Sequence, residues 1–461
     1  MDKHIEPLPL PDITNLLSSQ TTCESDWSVL DISTDSRSIS TPNCLYVALR
    51  GTSFDGHDFV AQAFQKGAAA AVVSQRVEGV DGLQIVVPDT LLALGTLAKF
   101  YRSLFKIPVV GVTGSAGKTS TKEMIAAALR PFLNIQVNKA SYNNEIGVPL
   151  TLFGIDRNTQ AAVLEMGMRG IGQIEYLCNI ATPNIGVITN IGMSHIELLK
   201  SRENIAIAKS ELLASLGTNG VAIINADSDF AEFLKGRSPS TVITYGTSPS
   251  ADFQITELRY INNKDTAFKV NDVDIYLNAT GDHHAMNAAA ACAVASALGY
   301  SVSEIAGNLR NFRSVEQRGT VIRTKDDIIV LDDTYNAAPD SFRSALQTLS
   351  IVGANRRKVA ILGEMRELGE KSSEAHAYVG QIVSERNIDI LITVGGDARC
   401  ISEAANSLPE SHKYHFECAD DAALKAADLV HPSDIVLVKG SRAMQMEKIV
   451  ARLERGLEDL A

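Results

Sequence analysis

The chain has 461 residues, which at roughly 150 residues per domain suggests about three domains. It is 45% hydrophobic and 21% charged, with 32 Gly and 14 Pro, a profile that excludes disordered, collagen-like and disulfide-scaffold classes. With 42 Lys and Arg against 54 Asp and Glu, the net charge is -12, so the overall field repels nucleic acid, anionic lipid and nucleotides. Any anionic ligand must therefore be held by local cations or a metal. No nucleic-acid partner is expected. No membrane insertion is expected either, because no run of about 18 apolar residues occurs and the start Met1-Asp2-Lys3-His4-Ile5-Glu6-Pro7 lacks the basic and apolar regions of a signal peptide. The cysteines, Cys23, Cys44, Cys178, Cys292, Cys400 and Cys418, are scattered with no C-x-x-C pair, which predicts reduced, mostly buried thiols in a cytoplasmic protein. A monomer is the expected state.

Short apolar runs alternate with amphipathic stretches, the pattern of β-α units on largely parallel sheets. In residues 1–105 strands are predicted near Leu45-Leu49, Ala69-Val73 and Gln84-Val87, with helices near Phe59-Lys66 and Leu91-Leu104. Phe105-Lys106-Ile107-Pro108 reads as a linker. Residues 106–316 form a second α/β unit, with strands at Val109-Thr113, Ile135-Asn138, Ala161-Glu165, Ile185-Thr189, Val221-Asn225 and Val242-Tyr245. A β-hairpin is predicted between Asp252 and Leu277, followed by an alanine-rich helix, Ala285-Leu298. In residues 317–461 the succession predicts a doubly wound, Rossmann-like domain. Its strands are Ile328-Leu331, Lys358-Leu362, Ile390-Val394 and Ile435-Val438, and its last helix is Arg442-Leu457.

The chemistry-bearing signal is Thr113-Gly114-Ser115-Ala116-Gly117-Lys118-Thr119, followed by Ser120, between a strand and a helix. Glycines let backbone N–H groups turn inward onto a phosphate, a lysine reaches the outer phosphates, and a hydroxyl reaches Mg²⁺. The following helix presents its positive end. The general P-loop spacing places the first glycine at position 112, which is Val112, with Gly111 one residue early. Glu165 and His195 stand at predicted strand ends, where open α/β sheets bind ligands, and beside a P-loop they are candidate Mg²⁺ ligands. Lys209, in a helical run, reads on its own as a solvated helix lysine; Asn287 near a helix start and Arg318 at a domain junction can serve a nucleotide base and a γ-phosphate respectively, and Asn287 has a helix-capping reading as well. Lys439-Gly440-Ser441-Arg442 precedes the last predicted helix, so Ser441 as N-cap and Arg442 beside the helix end would suit a carboxylate.

These strings resemble the Mur ligase family, the ATP-dependent amide-bond-forming enzymes of peptidoglycan synthesis. Ser33-Thr34-Asp35-Ser36-Arg37 is similar to the family's UDP-sugar segment, and Thr113 to Thr119 to its own T-G-[ST]-x-G-K-[ST] loop. Asn143-Asn144-Glu145 and Glu165-Met166-Gly167 are similar to substrate and metal segments. Asp333-Thr334-Tyr335-Asn336, Gly363-Glu364-Met365-x-Glu367-Leu368-Gly369 and Lys439-Gly440-Ser441-Arg442 point to the branch that joins D-alanyl-D-alanine to UDP-MurNAc-tripeptide. The resemblance implies ATP and Mg²⁺, with Glu165 and His195 on the metal and Asn287, Asp333 and Asn336 around the adenosine. It also implies that Lys209 matches a lysine that is carbamylated in several relatives. His284 stands where the family usually has Asn, and Ala116 where Asn or Thr is common. The alternatives are another Mur-type amino-acid ligase, folylpolyglutamate synthase, or a P-loop regulatory NTPase. The guanine-reading Asn-Lys-x-Asp is absent, since Asn138-Lys139-Ala140-Ser141 and Asn263-Lys264-Asp265-Thr266 both fail it.

Overall fold

Runs such as Val109-Val110-Gly111-Val112 are apolar on both faces, which suits a parallel strand covered by helices on either side. The computed structural model describes residues 5–17, 27–139 and 142–455. Cys23 and the end of the predicted last helix at Leu457 lie outside them. The described residues form a two-stranded ribbon and three larger sheets. Leu8–Pro9 pairs with Ser28–Val29 in a small antiparallel ribbon. Next comes a parallel sheet in the order Asp31–Ser33, Cys44–Val47, Ala68–Val73, Leu83–Val86. One face of this sheet packs on its own small cluster with Tyr46 and Val60. Its other face, through Leu45, Val47 and Val72, joins a core shared with Val148, Leu152 and Ile174. Arg102, buried on the helix Thr90–Ser103, ties the linker down by donating to the carbonyl oxygens of Phe105, Ile107 and Ala181 at 2.6, 3.0 and 3.2 Å.

The central sheet has nine strands. Its parallel part places Val109–Thr113 between Ile185–Ile188 and Ala161–Glu165. The strand order reverses around that strand, which opens a crevice at the carboxyl ends of all three. Val109 faces one core and Val110 and Val112 the other, so both faces are covered. Small side chains at Ala288, Ala291 and Ala295, all fully buried, pack the helix Asp282–Ala297 against the helix that leaves the glycine loop, Lys118–Leu129.

Two sequence expectations need correction. The segment predicted as one hairpin is three antiparallel strands, Phe253–Ile261, Asp265–Val270 and Val273–Leu277, that extend the central sheet. The turn at Asn271-Asp272, with both residues at positive φ, is the second reversal. The last helix does not begin at Arg442. A three-residue 3₁₀ turn, Arg442–Met444, comes first, and the α-helix is Glu447–Glu454, entered after Gln445 at φ 54°.

The third sheet runs Thr320–Arg323, Ile329–Asp333, Ile435–Lys439, Lys358–Gly363, Ile390–Val394, Lys413–Phe416. Five strands are parallel, and Thr320–Arg323 is an antiparallel edge. Alternate residues serve two cores, Ile329 and Leu331 with Phe342 and Leu346, and Val330 with Ala422 and Ile449. The result is the expected doubly wound arrangement. No helix among the described residues is long and apolar enough to cross a membrane.

Candidate active site

A cavity of about 680 Å³ lies where the carboxyl ends of the central strands face the third sheet. Its floor is the glycine loop. Gly114 sits at φ 155° and Gly117 at φ 79°, and a Cβ at Gly114 would collide with the Thr189 hydroxyl, so the loop needs glycine there. The first helical bond is Thr121 N–H to the Gly117 carbonyl. The N–H groups of Lys118, Thr119 and Ser120 therefore have no carbonyl within the helix and are available to an anion. Ser115 and Ala116 were expected to join this cradle, but their N–H groups donate to the Asn190 backbone oxygen at 3.0 Å and the Asn190 Oδ1 at 2.8 Å. Asn190 thus locks the loop. Thr189 adds a hydroxyl bond to the Ala116 carbonyl at 2.6 Å.

Lys118 curls back so that Nζ donates to the Gly114 carbonyl at 2.8 Å. Burial lowers its pKa; Glu165 opposes that shift and Arg318 adds to it. Glu165 ends its strand almost fully buried, and its two carboxylate oxygens accept from Thr119 Oγ1 at 2.6 Å and Asn143 Nδ2 at 2.7 Å. Burial alone would raise this carboxyl, but Lys118, the Thr119 hydroxyl, Arg318 and Asn143 together hold it below the usual carboxylate range. The Glu165 backbone is fixed in turn by Asn138, whose amide bonds both its N–H and its carbonyl at 2.9 Å.

His195 stands at φ 64°, a left-handed conformation that non-glycine residues hold only where the surroundings enforce it. Its Nδ1 bonds the Glu367 carboxylate from the third sheet's domain. Burial holds the imidazole below its ordinary pKa despite Glu367. Lys209 is 2% exposed, and burial, with Lys118 nearby, pushes its amine well below the ordinary value. A buried uncharged amine is a nucleophile.

The opposite wall comes from the third domain and the alanine-rich helix. Arg318 lies over the Tyr335 ring, 4.1 Å from its centre, and its buried Nε has no hydrogen-bond partner. Asn287 accepts from Thr121 at 3.0 Å. His284 is 3% exposed with an unpartnered Nδ1. Asp340 reaches across to Gly192 beside the glycine loop, which makes the cavity a two-domain structure.

The arrangement fits Mg²⁺ and a nucleotide triphosphate. Among the described residues no three His, Cys, Asp or Glu gather into a cage. An ionised Glu165 bonded to the Thr119 hydroxyl, with His195 lining the same cavity, offers the few protein ligands that suit Mg²⁺, which keeps waters and takes phosphate oxygens.

The sequence matches three family descriptions: Mur ligase family, catalytic domain, over residues 29–136; Mur ligase middle domain over 112–295; and Mur ligase, glutamate ligase domain, over 317–442. It is 35% identical to the UDP-N-acetylmuramoyl-tripeptide--D-alanyl-D-alanine ligase of Escherichia coli, across 96% of this chain and 98% of that one. The chain belongs to the Mur ligase family. The Bacillus subtilis enzyme of the same name is 35% identical, with 92% of each chain covered. Among solved structures, MurF from Acinetobacter baumannii superimposes with a TM-score of 0.90 at 30% identity, covering 98% of this chain and 99% of that one. MurF from Thermotoga maritima in complex with ADP has a TM-score of 0.83 at 27% identity, covering 97% and 100%.

The residues predicted for the nucleotide and substrates of this Mur ligase do not all line this cavity. Of the loop, Ser115 to Lys118 and Ser120 line the cavity, and the buried Thr119 hydroxyl meets it through Glu165, to which it donates. Ser36 and Arg37 are in the N-terminal sheet's domain and do not line it. Ser36 donates to Gln62 at 2.6 Å, and the exposed Arg37 pairs with its own Asp35. Asn144 and Glu145 are exposed at the rim, with Asn144 capping the helix Gly147–Leu152 through Gly147 N–H at 2.9 Å. Lys439 lines the cavity but is 1% exposed, its ammonium held by Asp333 at 2.6 Å and the Asn336 carbonyl at 2.9 Å. It therefore fixes the Asp333-Tyr335-Asn336 loop. Ser441 precedes the 3₁₀ turn and not the α-helix, and its hydroxyl makes no capping bond: it accepts from Arg366 N–H at 2.9 Å, and Arg442 bonds Gln317 and Glu447 at 3.0 and 3.2 Å. Sequence reasoning passed over Thr189, Asn190 and Asn138 as site residues. The only signal for the first two was that they follow an apolar strand of the same sheet.

Proposed function

We propose that the protein is an ATP-dependent ligase that joins D-alanyl-D-alanine to UDP-N-acetylmuramoyl-tripeptide, with release of ADP and phosphate. The observation that carries this reading is the glycine-loop cradle and the Glu165 carboxylate at one crevice roofed by a second domain, in a chain similar along nearly its whole length to enzymes named for that reaction.

A peptide carboxylate is a poor electrophile until it bears a leaving group. Attack of that carboxylate on the γ-phosphorus gives an acyl phosphate, and attack of the dipeptide amine on the acyl carbon then expels phosphate. When bound, Mg²⁺ supplies charge neutralisation between the phosphates and the attacking carboxylate. Thr119, Glu165 and His195 would hold it. Lys118 and Arg318 bring two positive charges to the transferred phosphoryl group, where charge spreads over equatorial oxygens. Asn190 and Thr189 keep the loop in its receiving shape before the nucleotide arrives, so little reorganisation is needed at the moment of reaction. Lys209 suits reaction with CO₂. The amine lone pair attacks carbon, a proton leaves to solvent, and the resulting carbamate anion can hold a second Mg²⁺. Asn287, Asp333 and Asn336 are assigned to the adenosine side. Ser36 and Arg37 are assigned to the UDP-sugar, and Asn143, Asn144, Glu145, Tyr335, Lys439, Ser441 and Arg442 to the peptide substrates or their supports.

The division of labour assigns residues 1–105 to the UDP-sugar, 106–316 to ATP and metal, and 317–461 to the dipeptide, in a cytoplasmic monomer with small-molecule partners. The deciding assay is phosphate release from ATP with UDP-MurNAc-tripeptide, with and without D-alanyl-D-alanine. Turnover that requires both substrates is the expected result. Release that ignores the dipeptide, or that a free amino acid supports equally, refutes the assignment.

A further inference from the structure

The string Gly363-Glu364-Met365-Arg366-Glu367-Leu368-Gly369 lies on the domain that does not carry the metal-binding groups, yet Glu367 reaches the cavity's edge on the other domain. Its carboxylate bonds His195 Nδ1. Its backbone carbonyl accepts from Glu197 N–H at 3.1 Å, and Gly369, two residues on, packs against the Glu197 side chain. Arg169, on the central domain, stands 3.8 Å from the same carboxylate. Glu367 and His195 both occupy left-handed backbone conformations, at φ 62° and φ 64°. Such conformations are strained for a non-glycine residue and persist where the surroundings fix them, most often at functional sites.

An imidazole has two nitrogens, and a carboxylate on one fixes the tautomer and the ring orientation, leaving the other free for a metal. With Nδ1 engaged by Glu367, Nε2 is the nitrogen that His195 can offer to the cavity it lines. We infer that Glu367 is a positioning residue for His195, so that the metal site on the central domain is complete only when the C-terminal domain is docked. This inference rests on the proposed metal role of His195. Through the Glu367 string, domain docking and metal ligation become one event, and the phosphate groups meet a fully formed site only when the domain expected to bring the dipeptide is in place.

The test is Mn²⁺ binding by electron paramagnetic resonance on the full chain with a non-hydrolysable ATP analogue, Mn²⁺ accepting the same carboxylate and water ligands as Mg²⁺. Glu367→Ala is expected to weaken Mn²⁺ binding about tenfold or more, the range seen when a ligand's supporting carboxylate is removed. Glu367→Gln keeps an oxygen acceptor for Nδ1–H and is expected to lose less. In a His195→Ala background, Glu367→Ala should add no further loss. Unchanged or tighter binding in Glu367→Ala, or an equal loss with His195 already gone, overturns the inference alone. If His195→Ala itself leaves Mn²⁺ affinity unchanged, the metal role of His195 fails and the inference falls with it.

Discussion

Lys209→Met should produce a protein that is more stable and inactive. The side chain is 2% exposed, and the influences on its amine are burial and the neighbouring Lys118, with no carboxylate among them. An amine drawn out of water into a site that disfavours its charged form costs about 1–3 kcal/mol, and methionine of similar length and shape removes that cost. In metal-free, CO₂-free buffer the melting temperature of the transition containing the central domain should rise by roughly 2–10 °C. The pH dependence has a definite sign. Because the folded amine sits below the ordinary value of 10.5, the unfolded chain binds a proton that the folded one does not. Wild-type stability therefore falls, relative to the variant, as pH drops from about 10.5 to the folded pKa, and the deficit is constant below it. Bicarbonate with Mg²⁺ should stabilise the wild type through the carbamate and leave Lys209→Met unmoved, while phosphate release is abolished in the variant and partly restored by an added short-chain carboxylic acid. A variant that melts lower than wild type in CO₂-free buffer and keeps its activity would show that Lys209 is an ordinary packed helix lysine.

Lys118→Ala should lower kcat/KM for ATP about 10³-fold, since a unit charge about 4 Å from a phosphoryl oxygen at an effective dielectric near 20 contributes roughly 4 kcal/mol. Its melting temperature should barely move, because one hydrogen bond to the Gly114 carbonyl is lost while a half-buried amine whose charged form the site disfavours is removed; a loss under tenfold in kcat/KM would refute the role. Asn190→Ala leaves Ala116 N–H without its acceptor and should cost about 1–3 kcal/mol in thermal or urea unfolding. Asn190→Asp should keep that stability yet raise the ATP KM, because an anion then stands beside the phosphates. Arg318→Lys keeps the charge but gives up the planar stacking on Tyr335, a loss of about 1–2 kcal/mol that should appear as a roughly five- to thirtyfold drop in kcat/KM by steady-state assay.

What the sequence made legible depended on the range of the interaction. The strand-loop-helix from Val109 to Leu129 was readable because each part is local: β-branched residues, glycines for positive φ, then a helical stretch stopped by Pro131. The doubly wound third domain was readable from the alternation of its elements. The antiparallel strands after Phe253 were under-read although both breaks, Asn262-Asn263 and Asn271-Asp272, are visible in the sequence: each is a short reversal, and two reversals make three strands where one hairpin was expected. The site divided in the same way. Glu165 and His195 stood out as polar residues at the ends of apolar strands. Asn190 and Glu367 act through partners 74 and 172 positions away, and no local pattern carries that information.

Lys439 shows what such pairing does to a motif reading. In Lys439-Gly440-Ser441-Arg442 the lysine and arginine resemble free cations set out for a substrate carboxylate, and the acidic balance of the chain makes any local cation look reserved for an anion. Folding uses both otherwise: Lys439 is neutralised by Asp333, and Arg442 is drawn to Gln317 and Glu447. Lys118 on the floor of the crevice and Arg318 on its opposite wall are used differently: Lys118 donates to the Gly114 carbonyl and Arg318 lies over the Tyr335 ring, which leaves their charge for an anion. A net charge of -12 is then compatible with binding a triphosphate, because the acidic residues are spread over the surface while a few unpaired cations face the ligand in a site of low dielectric, where each contributes more than it would in water.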